Sequence, residues 1–424
     1  KFKVVIALTS ANMPPQTAYI VEAVRTAGGR KGGRLSQWHP ISLGAAVLDA
    51  IVERTGIDGG AIDDVIVGCV SQSGAQGGNI GRNMVLASSK IPETVPGTSV
   101  DRQCGSSQQA IHFAAQAVMS GVQDVVIAAG VENMSQVPIG SNIGDAFKAG
   151  HGLPMDKNLN DKYGARLEER GHRMFSQFEG AEIVAEKYGL TKEEMDSFAV
   201  RSHRLAQEAT RKGLFRAEIV PLMGQDKAGN KVLHDTDEGI RPTTSMEGLA
   251  KLKSLKAMGT KGKASGVITA GLASQICDGA SALLICNDEG LKKLGVRPRA
   301  RIVSLALAGT DPVMMLAGPI PATHSALKRA GLSIGDMDLY EVNEAFASVP
   351  LAWAKELGAD LDKLNVNGGA MALGHPLGGT GAKLMTTLLH ELERRGGRYA
   401  LQAICEGGGT ANATIIERIP SSKL

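Results

Sequence analysis

The sequence predicts an α/β fold of two similar halves with a helical insertion. Three observations predict it. Short apolar runs alternate with amphipathic stretches at helical spacing along most of the 424 residues, a pattern that builds mostly parallel sheets covered by helices. A helix–glycine–loop–strand unit occurs twice, once ending I-D-D-V-I-V-G at Gly68 and once as A-T-H-S-A-L-K-R-A-G-L-S-I-G-D-M-D-L-Y-E-V-N from Ala322 to Asn343. Within the first half, over 137–263, charges become dense and strand-like runs fade, which marks an insertion over the active face.

The elements follow in order. Residues 1–17 carry Pro14 and Pro15 without a clear period and read as an N-terminal extension. A strand begins near Ala18. I-S-L-G-A-A-V-L-D-A-I-V-E-R-T is an amphipathic helix stopped by Gly56. D-D-V-I-V-G-C-V is a short buried strand. The stretch after Cys104 is small and apolar nearly all round, hence a buried helix, and D-V-V-I-A-A-G is the next strand. In the insertion, Thr191 and Glu194 form a capping box. A lysine-rich run from Lys251 to Lys263 reads either as a solvated loop or as a landing patch for a phosphate-bearing substrate. The expected division is 18–136 with 264–296 as one core half, 137–263 as the insertion, and 297–424 as the other half with a tail.

Composition narrows the function. Aromatic content of 4% and a net charge of +3 argue against a base-stacking nucleic-acid binder. No apolar run reaches the length of a membrane span, and the N-terminal segment lacks the apolar core of a secretory signal. Five cysteines with no pairing pattern suit a reducing compartment, with Cys69, Cys277 and Cys286 read as core packing. The terminal Ser422-Lys423-Leu424, past Pro420, reads as a tripeptide for a peroxisomal import receptor, with a cytoplasmic location as the alternative.

Three glycine-rich turns carry the chemistry. Cys104 lies in V-D-R-Q-C-G-S-S at the start of the buried helix, where free N–H groups are expected to lower its pKa. His375 lies in G-G-A-M-A-L-G-H-P-L-G-G-T-G and can take the Cys104 proton. Cys405 lies in I-C-E-G-G-G-T. With a pKa near about 8.5 it can move a proton to or from carbon. The Gly407 N–H is free to face an oxyanion, and Asn343 offers an amide that holds a water or an oxygen. Glu344 reads as an orienting charge. Thiol nucleophile, imidazole base and second thiol together make an acyl-transfer site.

These motifs, V-D-R-Q-C-G-S, N-E-A-F, G-H-P-L-G and C-E-G-G-G, resemble those of the thiolases in identity and order, over about Ala18 to Ile419. The resemblance implies a five-layer α-β-α-β-α thiolase fold with a loop domain inserted in the first half. It implies that Cys104 carries the acyl group and that His375, with a water on Asn343, binds one thioester oxygen. Cys405 would serve as acid and base, and the N–H groups of Cys104 and Gly407 as the other oxyanion hole. Ser274 matches a serine touching the pantetheine of coenzyme A, and Arg241 a residue near its nucleotide. Coenzyme A and acyl-CoA are then substrates, with no permanent cofactor and no metal, and a homodimer or homotetramer is expected. Two departures bear on acyl length. F-S-Q-F-E-G stands where many acetoacetyl-CoA thiolases carry a histidine, and Met314-Met315-Leu316-Ala317-Gly318-Pro319 replaces the M-G-x-G-P loop. The implied activity is thiolytic cleavage of 3-ketoacyl-CoA in β-oxidation, or acetoacetyl-CoA chemistry as the alternative. Rival readings are a β-ketoacyl synthase, which would want a second histidine at Asn343, and a non-catalytic acyl-CoA-binding homologue.

Overall fold

The structure, a computed structural model, describes residues 16–255 and 266–420. The Ser422–Leu424 tripeptide, most of the N-terminal extension and part of the lysine-rich run lie outside the described residues. The strands are β1 Tyr19–Thr26, β2 Gly29–Arg30, β3 Asp64–Gly68, β4 Gly97–Val100, β5 Val125–Asn133, β6 Ile219–Val220, β7 Leu222–Gln225, β8 Lys231–His234, β9 Cys277–Cys286, β10 Ala300–Gly309, β11 Leu339–Val342, β12 Tyr399–Glu406 and β13 Thr410–Arg418.

The main sheet runs β11-β12-β13-β10-β1-β9-β5-β3-β4. Its two halves share a pairing plan. In the first, β1–β9 and β9–β5 are antiparallel and β5–β3 and β3–β4 parallel. In the second, β10–β13 and β13–β12 are antiparallel and β12–β11 parallel. The parallel bridge Tyr340–Leu364 stands where β4 would recur. The sheet is therefore mixed rather than mostly parallel, because in each half the strand outside the repeated unit enters against its neighbours. Within the sheet the halves pair at Tyr19–Arg301 and Ile20–Ala300.

Helices Ser106–Met119 and Thr380–Arg395 lie between the halves and touch strands of both or each other. Alternate residues of each central strand face opposite layers. Val126 and Ala128 of β5 join the middle layer, whereas Val125, Ile127 and Ala129 join an outer one under helix Pro40–Thr55. Both faces are apolar, which is why these strands read as unbroken hydrophobic runs. At Gly381 a Cβ would stand 2.1 Å from the Gln108 N, so the two middle helices meet backbone to backbone. That contact brings the helix starts, and the turns before them, to one place.

The insertion is helical over Lys157–Glu169, Gln177–Tyr188 and Lys192–Arg211. It is not strand-free, since β6 pairs with β1 and β7 with β8. These strands are too short for periodicity to reveal. Buried Arg25 of β1 binds Glu218 at 2.6 Å and Asp237 at 2.9 Å, tying the insertion to the core.

Candidate active site

Cys104 sits in a tight turn between β4 and helix Ser106–Met119. Gln103 holds φ +49°, a left-handed backbone that a non-glycine residue adopts only when its surroundings enforce it. Here Asp101 accepts the Gln103 N–H at 2.8 Å and Ser106 donates its hydroxyl to the Gln103 carbonyl at 2.6 Å. Cys104 is the least enclosed of the five cysteines; the others are buried.

The His375 turn is anchored from three sides. The His375 N–H donates to the Gln275 carbonyl at 3.0 Å. Buried Lys383 donates to the carbonyls of Leu373 and Gly374 at 2.5 and 3.3 Å. Glu132, at the end of β5, accepts the Gly378 N–H at 2.9 Å together with those of Val70 and Ser71. One buried carboxylate thus pins the His375 turn to the loop after β3. Leu377 packs with Val70, Met134 and Cys104, which sets the imidazole turn against the thiol turn.

The imidazole tautomer follows from hydrogen-bond accounting. Thr380 Oγ1 lies 2.9 Å from the Pro376 carbonyl and 2.6 Å from His375 Nδ1. A carbonyl only accepts, so the single hydroxyl proton points there, and Nδ1–H must donate to Oγ1. Nε2 then carries the free lone pair. Asn343 Nδ2 faces that nitrogen at 3.4 Å, as a donor should. Burial, then the Lys383 charge, pulls the His375 pKa down to about 3, so the ring is a neutral proton acceptor at ordinary pH. Thr380→Val is expected to lower kcat about 10- to 100-fold with KM little changed, as a mis-set tautomer weakens general-base action. Thr380→Ser should restore the rate, and steady-state kinetics on both variants checks it.

Cys405 is the penultimate residue of β12, and Glu406 and Thr410 close the β12–β13 hairpin over three glycines, two of them left-handed (Gly408 φ +79°, Gly409 φ +82°). The turn carries Gly407 to Cys104, where its N–H favours the thiolate, and sets Cys405 near enough for a charge on Cys104 to oppose its ionisation. Asn343 follows β11, and its N–H donates to the Ala403 carbonyl beside Cys405. Its Oδ1 is buried with no partner among the described residues, an open acceptor of the kind a bound water fills. Glu344 is fully buried and accepts from Ser202 at 2.7 Å, Asn365 at 3.0 Å and the Met371 N–H at 3.1 Å, so it orients both loops.

The candidate substrate contacts lie along one path. Ser274 is half-buried, its N–H on the Ala345 carbonyl at 2.9 Å, next to Gln275 under the His375 turn. Gln275 also donates to the Gly239 carbonyl at 2.7 Å, and Arg241, two residues on, is exposed.

The electrostatics correct two expectations. The Cys104 thiol is not lowered. Burial and the Glu406 charge push it up to about 12 against the helping N–H groups of Cys104 and Gly407, with Glu132 adding to the rise. Nor does Cys405 keep an ordinary thiol pKa; burial, then Cys104 and Glu406, raise it well above that. A helix terminus acts within its first turn, and here two buried carboxyls and lost hydration outweigh it.

Residues 18–289 match the thiolase N-terminal domain family and residues 296–418 the thiolase C-terminal domain family. The chain belongs to the thiolase family. It is 51% identical over 404 residues to a steroid 3-ketoacyl-CoA thiolase of Mycobacterium tuberculosis, covering 95% of this chain and 94% of that one. It is 41% identical over 415 residues to a 3-ketoacyl-CoA thiolase of Marinobacter nauticus, covering 96% and 100%. The crystal structure of human mitochondrial 3-ketoacyl-CoA thiolase superposes with a TM-score of 0.82 at 36% identity, covering 96% of this chain and 100% of that one. The thiolase is thus an acyltransferase of known architecture, whose helix pair and paired halves deliver Cys104, His375, Asn343, Cys405 and Gly407 to neighbouring turns. Sequence reasoning missed Glu132, Thr380 and Lys383. Thr380 had a signal, being a hydroxyl five residues past the histidine. Glu132 and Lys383 are distant charges whose partners are backbone groups.

Proposed function

We propose that this thiolase cleaves 3-ketoacyl-CoA with coenzyme A, giving acetyl-CoA and a shortened acyl-CoA. The observation that carries the reading is the unprotonated Nε2 of His375, fixed by Thr380, in a turn packed on the Cys104 turn. His375 takes the Cys104 proton as the sulfur attacks the keto carbon, whose oxygen charge falls on the N–H groups of Cys104 and Gly407, while the Nε2–H and a water on Asn343 hold the thioester oxygen of the departing half. The C2–C3 bond then breaks, leaving the acyl group on Cys104. The thiol of Cys405, kept protonated by its burial, protonates C2 of the departing acetyl-CoA. The Cys405 thiolate next takes the proton of free coenzyme A, whose sulfur attacks the thioester over the N–H groups of Cys104 and Gly407. Cys104 leaves and recovers its proton from His375. Ser274 would hold the pantetheine arm and Arg241 the nucleotide end.

The 3-ketoacyl-CoA thiolase names of the relatives support a degradative role, and the one named a steroid 3-ketoacyl-CoA thiolase supports a bulky acyl group. Acetoacetyl-CoA synthesis or cleavage is the second reading, since the Bacillus anthracis acetyl-CoA acetyltransferase superposes with a TM-score of 0.83. The deciding experiment is coenzyme A-dependent cleavage of acetoacetyl-CoA beside a long-chain and a steroid side-chain 3-ketoacyl-CoA. Turnover of the large substrates is expected. Turnover of acetoacetyl-CoA alone would move the assignment to the second reading.

A further inference from the structure

Glu406 stands beside both thiols, and the reaction above gives it no task. Its side chain is fully buried. Oε2 accepts the Thr410 hydroxyl at 2.7 Å, and the Asn412 N–H also favours the carboxylate. Oε1 is buried with no hydrogen-bond partner among the described residues. It rests against Gly105, the residue after the nucleophile, where a Cβ would stand 1.9 Å away. Position 105 has an ordinary φ of −93°, so its glycine is required by the carboxyl and not by the turn. A buried carboxyl oxygen left unpaired costs stability, and its retention asks for a reason.

We propose that Glu406 is a positioning residue that keeps Cys104 protonated until substrate is in place and the proton can pass to His375. The inference rests on Cys104 being the nucleophile. A negative charge packed on the neighbouring residue disfavours a thiolate, and the low dielectric of the pocket strengthens that effect. Other groups face the pair. Arg102 from the turn opposes the Glu406 charge, Glu132 from β5 adds to it, Cys405 lies alongside on β12, and the neutral His375 turn packs through Leu377. Burial pushes the Glu406 pKa up to about 8, so its charge grows in as pH rises through that value. Below it Cys104 meets a neutral carboxyl, and above it a carboxylate that holds back ionisation.

The test is the rate at which iodoacetamide alkylates Cys104 in the full chain from pH 6.5 to 10, read by mass on the Cys104 peptide. This measurement needs no thiolase turnover, so failure of the inference is distinct from failure of the proposed activity. Glu406→Gln keeps the shape and the Thr410 contact. It is expected to move the alkylation profile to lower pH by about one unit, making labelling about tenfold faster at pH 9 and little changed at pH 6.5. Glu406→Met should shift it the same way and guards against a fold defect of the first variant. Identical profiles, or an increase of equal size at every pH, would overturn the proposal, the latter because loosened packing has no pH signature.

Discussion

Cys104→Ser is expected to lower thiolytic cleavage at least about a thousandfold while leaving the fold intact. The exchange is nearly isosteric, and the Gln103 turn is held by Asp101 and Ser106, which the substitution does not touch. The loss is chemical. The sulfur already resists ionisation, because burial and Glu406 outweigh the two N–H groups that favour thiolate. A neutral imidazole with a pKa of about 3 can accept a thiol proton while the sulfur bonds to carbon, but a serine hydroxyl is a much weaker acid and asks more of the same base. The measurement is twofold: steady-state cleavage, and the mass of the peptide containing residue 104 after incubation with acetyl-CoA. The native protein should carry an acetyl group there and the variant none. An adduct on Cys405 instead would reverse the roles of the two thiols.

Most of the fold was legible because its middle strands are buried on both faces. Runs such as V-V-I-A-A-G in β5 leave little choice, and repetition of the helix–glycine–loop–strand unit disclosed the two similar halves, though not the antiparallel pairs within them. What escaped were features without a period. The short pairings of β6 and β7 depend on partners more than twenty residues away or on a bare hairpin, and strand direction is not written in apolarity. The site divides the same way. Cys104, His375, Cys405 and Gly407 sit among glycines that announce close backbone approach. Glu132 and Lys383 work through carbonyls and N–H groups contributed by other elements, so nothing local distinguishes them from surface charges. The pKa directions could not be anticipated either, since helix starts are visible in a sequence and the burial of Glu406 against Gly105 is not.

Cys405→Ser should separate the two halves of the chemistry. The buried thiol is held protonated by lost hydration and by Cys104 and Glu406, which suits a donor to an enolate carbon. Removing it takes away proton transfer at C2 but leaves Cys104, its N–H groups and the His375–Thr380 pair in place. Cleavage of 3-ketoacyl-CoA is therefore expected to fall by about 10²- to 10⁴-fold, the usual range for a lost general acid–base group. Exchange of the C2 protons of acetyl-CoA with deuterated water, followed by NMR, should stop. Acetylation of Cys104 by acetyl-CoA should persist at a reduced rate, because that step breaks a C–S bond and needs no proton at carbon. Persistent C2 exchange would show that another group handles the carbon acid. Loss of Cys104 acetylation together with exchange would show that the two thiols ionise as one unit, and the assignment of separate duties would fall.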